Sequence, residues 1–231
     1  MKIAVLSDIH ANIFALEAVY KDLEKEAIDY ILVAGDLIGY YYWPKEVVSM
    51  LRKDTRVLCV RGNHEDILEE IINNKEMADI YRRKYGSGYD LCENTLSSED
   101  LSWLLNLPKH LNINLDGCSF YMTHGSLSGI NDYLYPDASL ERLHDNYSDS
   151  KITIFGHTHY QFIHGHNDKF ILNPGSIGQP RDIGALASYA VINTTNLVIR
   201  FKRVSFDYST LIKVSKSQDP KLEYLWKIMK R

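Results

Sequence analysis

The sequence has little cysteine, and this scarcity excludes two classes of protein. Only three cysteines occur among 231 residues, Cys59, Cys92 and Cys118, and no two of them form a CxxC pair. An odd number of widely spaced cysteines does not build a disulfide framework, and no histidine stands at zinc-finger spacing from them. We therefore expect three buried, reduced thiols, without a disulfide-stapled domain or a structural thiolate zinc site.

Long apolar runs are also missing. Charged residues such as Asp36 and Lys45 interrupt every hydrophobic stretch before it reaches the roughly 20 residues that a membrane helix needs. The apolar start of the chain stops at Ser7 and Asp8, which is too early for the hydrophobic region of a signal peptide. The sequence therefore predicts a cytoplasmic protein that has no membrane partner.

Positive charge is not in excess. The chain has 26 Lys and Arg against 30 Asp and Glu, which gives a formal net charge of -4. Proteins hold a nucleic acid backbone mainly through basic side chains that release its counterions. The charge balance therefore makes nucleic acid an unfavoured partner.

No repeat, low-complexity tract or Pro/Gly/Ser-rich linker divides the chain, which predicts one domain over residues 1–231. Up to about residue 60, short apolar runs alternate with helical periodicity, a pattern typical of parallel strands buried on both faces. The stretch 65–108 is rich in charge and helix formers and predicts a mainly helical, cap-like segment. Short strand-like runs dominate the second half, with a hairpin signal at Asp116-Gly117. We predict an α/β (α+β) fold with two sheets and helices outside them.

Five polar clusters each directly follow an apolar, strand-like run. They are Asp8-Ile9-His10, Gly35-Asp36, Gly62-Asn63-His64, His124-Gly125 and Gly156-His157-Thr158-His159. Functional groups in open α/β sheets gather beyond the carboxyl ends of the strands, so these clusters are expected to converge. Carboxylate, imidazole and amide donors without a thiolate suit Mn, Fe, Ni or Zn. The candidate ligands are seven: Asp8, His10, Asp36, Asn63, His124, His157 and His159. This number exceeds what one tetrahedral ion needs, which favours two divalent ions.

In this order, the five clusters resemble the motifs of the calcineurin-like metallophosphoesterase superfamily. The resemblance spans residues 2–180, and Asn173-Pro174-Gly175-Ser176 with Gln179-Pro180-Arg181 is similar to the small YfcE-like bacterial and archaeal phosphodiesterase branch. It implies an αββα sandwich, in which two stacked mixed β-sheets are flanked by helices. It also implies a metal-dependent hydrolase of small phosphodiester or nucleotide-type substrates that works through a dinuclear centre and a metal-bound hydroxide. The sequence leaves the oligomeric state open, and a homo-oligomer is one of the options.

The resemblance further implies a role for each site residue. One ion would be held by Asp8, His10, Asp36 and His159, and the other by Asp36, Asn63, His124 and His157, with manganese as the favoured metal. His64 would be the catalytic residue that either stabilises the transferred phosphoryl group or protonates the leaving oxygen. Arg61 and Arg181 would bind the phosphate oxygens of the substrate through their guanidinium groups.

Several interpretations stay open at this point. The same fold could serve as a non-catalytic binding scaffold, like the retromer subunit, or as an exonuclease, which would need a basic DNA-facing surface. The aromatic run Tyr40–Trp43 could stack on a nucleobase or pack in the interior. His164 and His166 mimic metal-ligand spacing, but we assign them to the surface. Arg181 could form an exposed ion pair with Asp182 rather than bind phosphate.

Overall fold

A computed structural model describes all 231 residues. Ten strands form two five-stranded sheets. The strands are β1 (Lys2–Leu6), β2 (Tyr30–Val33), β3 (Val57–Cys59), β4 (His110–Leu115), β5 (Cys118–Thr123), β6 (Ile152–Ile154), β7 (Gln161–His166), β8 (Lys169–Pro174), β9 (Leu186–Asn193) and β10 (Val198–Ser205). The helices are α1 (Ile13–Leu23), α2 (Pro44–Lys53), α3 (Asn63–Asn73), α4 (Glu76–Tyr85), α5 (Gly88–Thr95), α6 (Ser98–Leu105), α7 (Leu140–His144), α8 (Ser209–Gln218) and α9 (Tyr224–Lys227), followed by a 3-10 turn at Ile228–Lys230.

The first sheet has the strand order β10-β9-β1-β2-β3. Its three N-terminal strands are parallel, and Leu6 of β1 lies opposite Val33 of β2. The helices between them begin where the sequence indicates, since the Asn12 side chain caps α1 by accepting from the Ala15 amide at 3.2 Å and Pro44 is the first residue of α2. The parallel strands therefore end at one common edge, with a loop after each.

The second sheet has the order β4-β5-β6-β8-β7. Strands β5, β6 and β8 run parallel, while β4 and β7 pair antiparallel at its two edges. The β4–β5 hairpin turns at Asp116 and Gly117, which both have positive φ. Both sheets are thus mixed and lie between helices, as the sequence and the resemblance predicted.

The two sheets share a buried apolar layer because β1 alternates between two cores. Ile3 and Val5 pack with Phe120 and other side chains of the second sheet. Ala4 and Leu6 face the opposite way, toward the helices outside the first sheet. A single domain over residues 1–231 is our proposal, and the core shared by both sheets supports it.

The segment 65–108 is helical, as predicted, because it contains most of α3 and all of α4, α5 and α6. The aromatic run Tyr40–Trp43 belongs to the interior: Tyr41 is fully buried, and Tyr40 and Tyr42 are less than a tenth exposed. The burial of the three tyrosines favours the alternative in which this run packs in the interior, and Trp43 is partly buried against the same core. All three cysteines are free and buried, as expected. No helix combines the length and apolar character that crossing a membrane requires.

Candidate metal centre

The polar side chains of the five clusters meet where the parallel strands of both sheets end. Loops after β1, β2 and β3 come from the first sheet, and loops after β5 and β6 come from the second. None of the eight side chains in this group is more than 6% exposed: Asp8, His10, Asp36, Asn63, His64, His124, His157 and His159. Seven of these are the predicted metal ligands, so the structure brings the whole predicted set together.

One half of the site forms around Asp8. The Nε2 atom of His159 lies 3.2 Å from Asp8 Oδ1, and the Nε2 atom of His10 lies 3.7 Å from the same oxygen. The two Nε2 atoms are 3.1 Å apart. One carboxylate and two imidazoles thus direct their donor atoms at a common point, and these three residues meet the spacing of a metal-binding group.

The other half forms around His124. Its Nε2 atom lies 3.1 Å from Asp36 Oδ2, 3.0 Å from Asn63 Oδ1 and 3.1 Å from His157 Nδ1. Asp36, His124 and His157 form a second group with metal-binding spacing. Asn63 adds an amide oxygen, which makes a mixed N/O donor set of the kind that first-row divalent metals accept.

Asp36 joins the two halves. Its Oδ2 atom is 3.1 Å from His124 Nε2 and 3.8 Å from His10 Nε2. Its other oxygen, Oδ1, accepts the backbone N–H of His64 at 2.9 Å. One carboxylate oxygen is therefore oriented by the backbone, and the other faces donors of both groups.

The backbone of the site loops is strained, and contacts between the loops hold the strain. Asp8, His10, Asp36, His157 and His159 all have φ between 50° and 66°, a region that costs a non-glycine residue on the order of 1 kcal/mol or more. The amide of His10 donates to the carbonyl of Asp36 at 3.0 Å, and the amide of His157 donates to Asp8 Oδ2 at 3.0 Å. Such strain concentrated at one place is typical of a functional site.

The tautomers of the histidines test whether this site fits a cation. The Nδ1 atoms of His10, His124 and His159 lie 3.2, 2.8 and 2.7 Å from the carbonyls of Ile38, Ala34 and Gln179. A carbonyl only accepts, so each Nδ1 carries a proton, and in the neutral imidazole each Nε2 presents a lone pair to the site. Facing lone pairs about 3 Å apart repel unless positive charge lies among them, and metal-binding histidines are oriented by this kind of carbonyl contact. The residues present therefore fit divalent metal ions.

The pKa shifts of the site residues show how strongly the buried carboxylates and histidines affect one another. Burial alone would lower the pKa of His124, but the charge of Asp36 and a hydrogen bond to it raise the pKa to about 10. Burial would raise the pKa of Asp8, but the nearby histidines hold it well below its usual value. The pKa of His159 is lowered to about 4, mainly by burial. Without a metal ion, the site therefore combines ionised carboxylates with a neutral His159 and a protonated His124, and a metal ion would displace the proton of His124.

His64 lies at the edge of the site, where it forms a third group with metal-binding spacing together with His10 and Asp36, and it makes one side-chain hydrogen bond. Its Nε2 atom is 4.0 Å from Asp36 Oδ2, farther than the corresponding atoms of His10 and His124. Its Nδ1 atom lies 2.6 Å from the hydroxyl of Tyr89 on α5. Burial is the largest effect on the pKa of His64, which lies well below the usual value.

The two predicted phosphate-binding arginines have different surroundings. The guanidinium of Arg61 is buried and contacts Asp66, Glu69 and the carbonyl of Leu105. These contacts hold the guanidinium against α3 and the end of α6. Binding of a phosphate oxygen by Arg61 stays a prediction, and the acidic partners of the guanidinium do not favour it.

Arg181 has no ion pair or side-chain hydrogen bond. The alternative pairing with Asp182 does not form, because Asp182 pairs with Arg203. The carbonyl of Gln179, two residues before Arg181, lies 2.7 Å from His159 Nδ1, and the charge of Arg181 contributes to lowering the pKa of His159. Its positive charge is available to a ligand.

Glu65 is a functional side chain that sequence reasoning missed. It is fully buried and accepts the backbone N–H groups of Gly62, Asp36, Leu37 and Ile38 at 2.7 to 3.2 Å. It thereby locks the Asp36 turn to the start of α3. A glutamate three residues after a helix-capping position is the signal that indicates this contact.

Gly62, at that capping position, has to be glycine. A Cβ atom on it would lie 2.1 Å from Asp36 Oδ1 and 2.3 Å from the Asp36 amide nitrogen. Atoms cannot approach that closely, so any side chain here would displace the carboxylate that joins the two halves of the site. The glycine of the Gly-Asn-His cluster is therefore explained by close approach.

His164 and His166 do not join the centre. They lie on β7, where His164 Nδ1 is 2.6 Å from the hydroxyl of Tyr147 and His166 is exposed. This agrees with their assignment to the surface.

Comparisons with known proteins agree with these observations. A family model described as the calcineurin-like phosphoesterase superfamily domain matches residues 1–197. An uncharacterised protein of Methanocaldococcus jannaschii is 32% identical over 223 residues, covering 89% of this chain and 88% of that protein. The phosphodiesterase YfcE of Escherichia coli is 23% identical over 208 residues, covering 86% and 91%. A metallophosphoesterase from Sphaerobacter thermophilus, known from a crystal structure, is 26% identical in sequence. The match covers 99% of this chain and 98% of that protein's chain, with a TM-score of 0.78.

Proposed function

The chain belongs to the calcineurin-like phosphoesterase superfamily, and from this premise we propose that it hydrolyses small phosphodiester or nucleotide-type substrates at a dinuclear metal centre. Family membership and the YfcE relative make it a hydrolase of phosphoester bonds. The observation that carries the proposal is the position of Asp36 Oδ2 between donors of both metal-binding groups.

We assign the ligands as the resemblance implies. Asp8, His10, Asp36 and His159 would hold the first ion, and Asp36, Asn63, His124 and His157 would hold the second. Each set is supported by donor atoms within 3.0 to 3.8 Å of one another. Manganese is the ion that we favour, and Fe, Ni and Zn suit the same donors.

When bound, the two ions would supply positive charge and a water acidic enough to attack phosphorus near neutral pH. The protein supplies the rest of the chemistry. The Arg181 guanidinium is free to bind a phosphate oxygen, and its planar shape suits that geometry. His64 faces the same space from the edge of the site and acts on the phosphoryl group or on the leaving oxygen. Burial of the ligand side chains and of His64 keeps bulk water away from them, which strengthens each interaction.

Exposed tyrosines beside the centre support a nucleotide-type substrate. The Tyr133 ring stacks on His157 with centroids 3.9 Å apart, and Tyr135 stacks on Tyr133 at 5.6 Å and 9°. These two rings are 43% and 39% exposed. A cavity of about 370 Å³ lies next to Tyr135 and Tyr160. A planar base or aryl group can stack on such rings while its phosphate reaches the ions.

The scaffold and exonuclease alternatives have less support. A scaffold does not require metal ligands, yet this chain keeps seven of them with His64 beside them. An exonuclease would need a basic surface for DNA, whereas the net charge is -4.

The decisive experiment is a substrate screen with defined metals. The purified full-length protein is stripped with a chelator, reloaded with Mn, Fe, Ni or Zn, and assayed on model monoesters, model diesters and dinucleoside polyphosphates. We expect hydrolysis only in the presence of metal, with diesters or nucleotide-type compounds preferred. The matched variants are Asp36→Asn, which should lose activity, and His164→Ala, which should retain it. A protein that binds metal but cleaves none of these compounds would support the scaffold instead.

A further inference from the structure

Tyr89 and His64 form a buried pair that the proposed reaction does not yet use. The Tyr89 hydroxyl lies 2.6 Å from His64 Nδ1. Both residues are 3% exposed, and their rings are 15° from parallel with centroids 5.9 Å apart. Neither the hydroxyl nor Nδ1 has another hydrogen-bond partner in the structure. The contact is therefore the one that decides where each proton resides.

The direction of this hydrogen bond follows from what each atom could otherwise do. If His64 donated from Nδ1, the Tyr89 hydroxyl hydrogen would be buried without an acceptor, which is unfavourable. If Tyr89 donates, both atoms are satisfied. Burial also raises the pKa of Tyr89 well above its usual value, so the hydroxyl keeps its proton. Tyr89 therefore donates to Nδ1, and the proton of a neutral His64 resides on Nε2.

The ring of His64 cannot turn away from this arrangement. A Cβ atom at Gly39, which has a φ of +86°, would lie 2.1 Å from His64 Nδ1, so the backbone closes one side of the ring. Tyr40 and Tyr85 pack against it with centroids 4.7 and 5.0 Å away. The Nε2–H is consequently held toward the metal ligands, 4.0 Å from Asp36 Oδ2.

We propose that Tyr89 is a positioning residue that holds His64 as a neutral imidazole, so that His64 donates an Nε2–H hydrogen bond to the phosphoryl group and does not protonate the leaving oxygen. This rests on the proposed function and selects between the two roles that the resemblance left open. If a neutral imidazole lost its Nε2 proton while Nδ1 remained unprotonated, it would become a strongly basic imidazolate. A hydrogen bond, in contrast, leaves the proton on Nε2 and stabilises charge on a phosphoryl oxygen.

A spectroscopic measurement tests the tautomer without any turnover. Proteins labelled with ¹⁵N-histidine are compared with a His64→Ala variant to assign the His64 signals, first without metal and then with diamagnetic Zn²⁺. We expect a protonated Nε2 and an unprotonated Nδ1, with the Nδ1 signal shifted in Tyr89→Phe. A proton on Nδ1, or an Nε2 that binds the ion, would overturn the proposal.

Kinetic measurements test the role of Tyr89 in the proposed reaction. Tyr89→Phe removes only the hydroxyl and should lower kcat by about 10-fold while KM and metal content stay unchanged, because a lost buried hydrogen bond is worth on the order of 1–2 kcal/mol. The loss should be equal for diesters with good and poor leaving groups, and it should disappear in a His64→Ala background. A loss that grows with the basicity of the leaving group would mean that His64 protonates it. A loss that persists without His64 would mean that the hydroxyl is merely structural.

Tyr189→Phe is the matched control. Its hydroxyl donates to Asp22 at 2.7 Å, outside the site, and its removal should reduce stability without changing kcat. If the unmodified protein hydrolyses nothing, the proposed function fails and the phosphoryl role with it, while the nitrogen spectra still decide the tautomer.

Discussion

Asp36 is the residue that couples the two halves of the site. Replacing it with asparagine keeps the shape but removes the charge that raises the pKa of His124 and faces both groups. In Asp36→Asn we therefore expect the content of both metals to fall together, and kcat with it. Metal analysis by mass spectrometry after dialysis against equimolar ion measures this.

His64→Ala is the informative contrast, because His64 is adjacent to a ligand but lies farther from Asp36 Oδ2 than His124 does. It should leave metal content close to normal and lower kcat by about 10² to 10³, as removal of one charge-stabilising donor does. An Asp36→Asn protein that retains one full equivalent of metal would contradict the bridging role. An emptied site in His64→Ala would mean that His64 is itself a ligand.

Glu65 supports the site without facing it. Its carboxylate accepts four backbone N–H groups, two of them from Leu37 and Ile38, which directly follow Asp36. In Glu65→Gln an amide NH₂ group replaces one carboxylate oxygen. This NH₂ group would face backbone N–H groups, which cannot accept a hydrogen bond. We expect the free energy of unfolding to fall by about 1–3 kcal/mol and metal affinity to fall with it.

Urea denaturation and metal titration measure the two effects of Glu65→Gln. The control is Glu70→Gln on the same helix, where the carboxylate is exposed and accepts from Tyr81; it should change neither quantity by much. A Glu65→Gln protein that is destabilised yet binds metal with normal affinity would show that the Asp36 turn does not depend on Glu65.

The site residues differ in how far the sequence reveals them. Asp8, Asp36 and His124 follow apolar strands directly, so their convergence could be predicted from the rule for parallel strands. Tyr89 could not, because it lies 25 residues after its partner His64 on another helix, and only tertiary packing brings them together. Arg61 is identified from its place beside a motif, but the sequence does not reveal that Asp66 and Glu69 pair with its guanidinium.

At the scale of elements, Asp22 attaches α1 to the edge of the first sheet. It accepts from Tyr189 of β9 at 2.7 Å, and Lys202 of β10 lies 3.3 Å away. The hydrogen bond from Tyr189 is the largest cause that lowers the pKa of Asp22 to about 2. A pKa below that of the unfolded chain means that the carboxylate stabilises the fold above about pH 4, and that this contribution is lost as the pH falls toward 2.

We therefore expect Asp22→Asn to lower the free energy of unfolding by about 1 kcal/mol at pH 7, since solvent screens part of the gain. The difference from the unmodified protein should shrink as the pH decreases from 4 to 2. Urea denaturation of metal-free protein at a series of pH values measures it, with Asp145→Asn at an exposed, unpaired position as the control. A difference that stays constant down to pH 2 would show that charge on Asp22 is not its cause.

The elements themselves follow the sequence closely where local signals are strong. The apolar run Lys2–Leu6 predicts a strand, and β1 has those limits; Pro44, a typical first residue of a helix, begins α2. The run Arg56–Val60 predicts a longer strand than the observed Val57–Cys59, because its flanking residues belong to the loops. The position of β9 between β10 and β1 could not be predicted, since it depends on pairing between residues far apart in the sequence, such as Lys2 and Asn193.

At the scale of the whole molecule, the site lies where the two sheets meet. Three of its loops extend from the first sheet and two from the second, so metal ions bound there would cross-link both. Without them, the converging lone pairs and the negative charges of Asp8 and Asp36 oppose one another. The stability of the fold and the occupancy of the site should consequently be linked.

Chelation should therefore destabilise the entire protein rather than one loop. At a free manganese concentration about 100 times the dissociation constant, binding to the folded state alone adds about 2.7 kcal/mol, which for a chain of this size raises Tm by about 5–10 °C. Calorimetry with and without EDTA across a manganese series measures this, and Tm should rise with the logarithm of the free ion concentration. The rise should be smaller in Asp36→Asn and unchanged in His164→Ala, whose histidine lies on β7 outside the centre. A Tm that is independent of the ion in the unmodified protein would mean that these donors do not bind metal in the folded state.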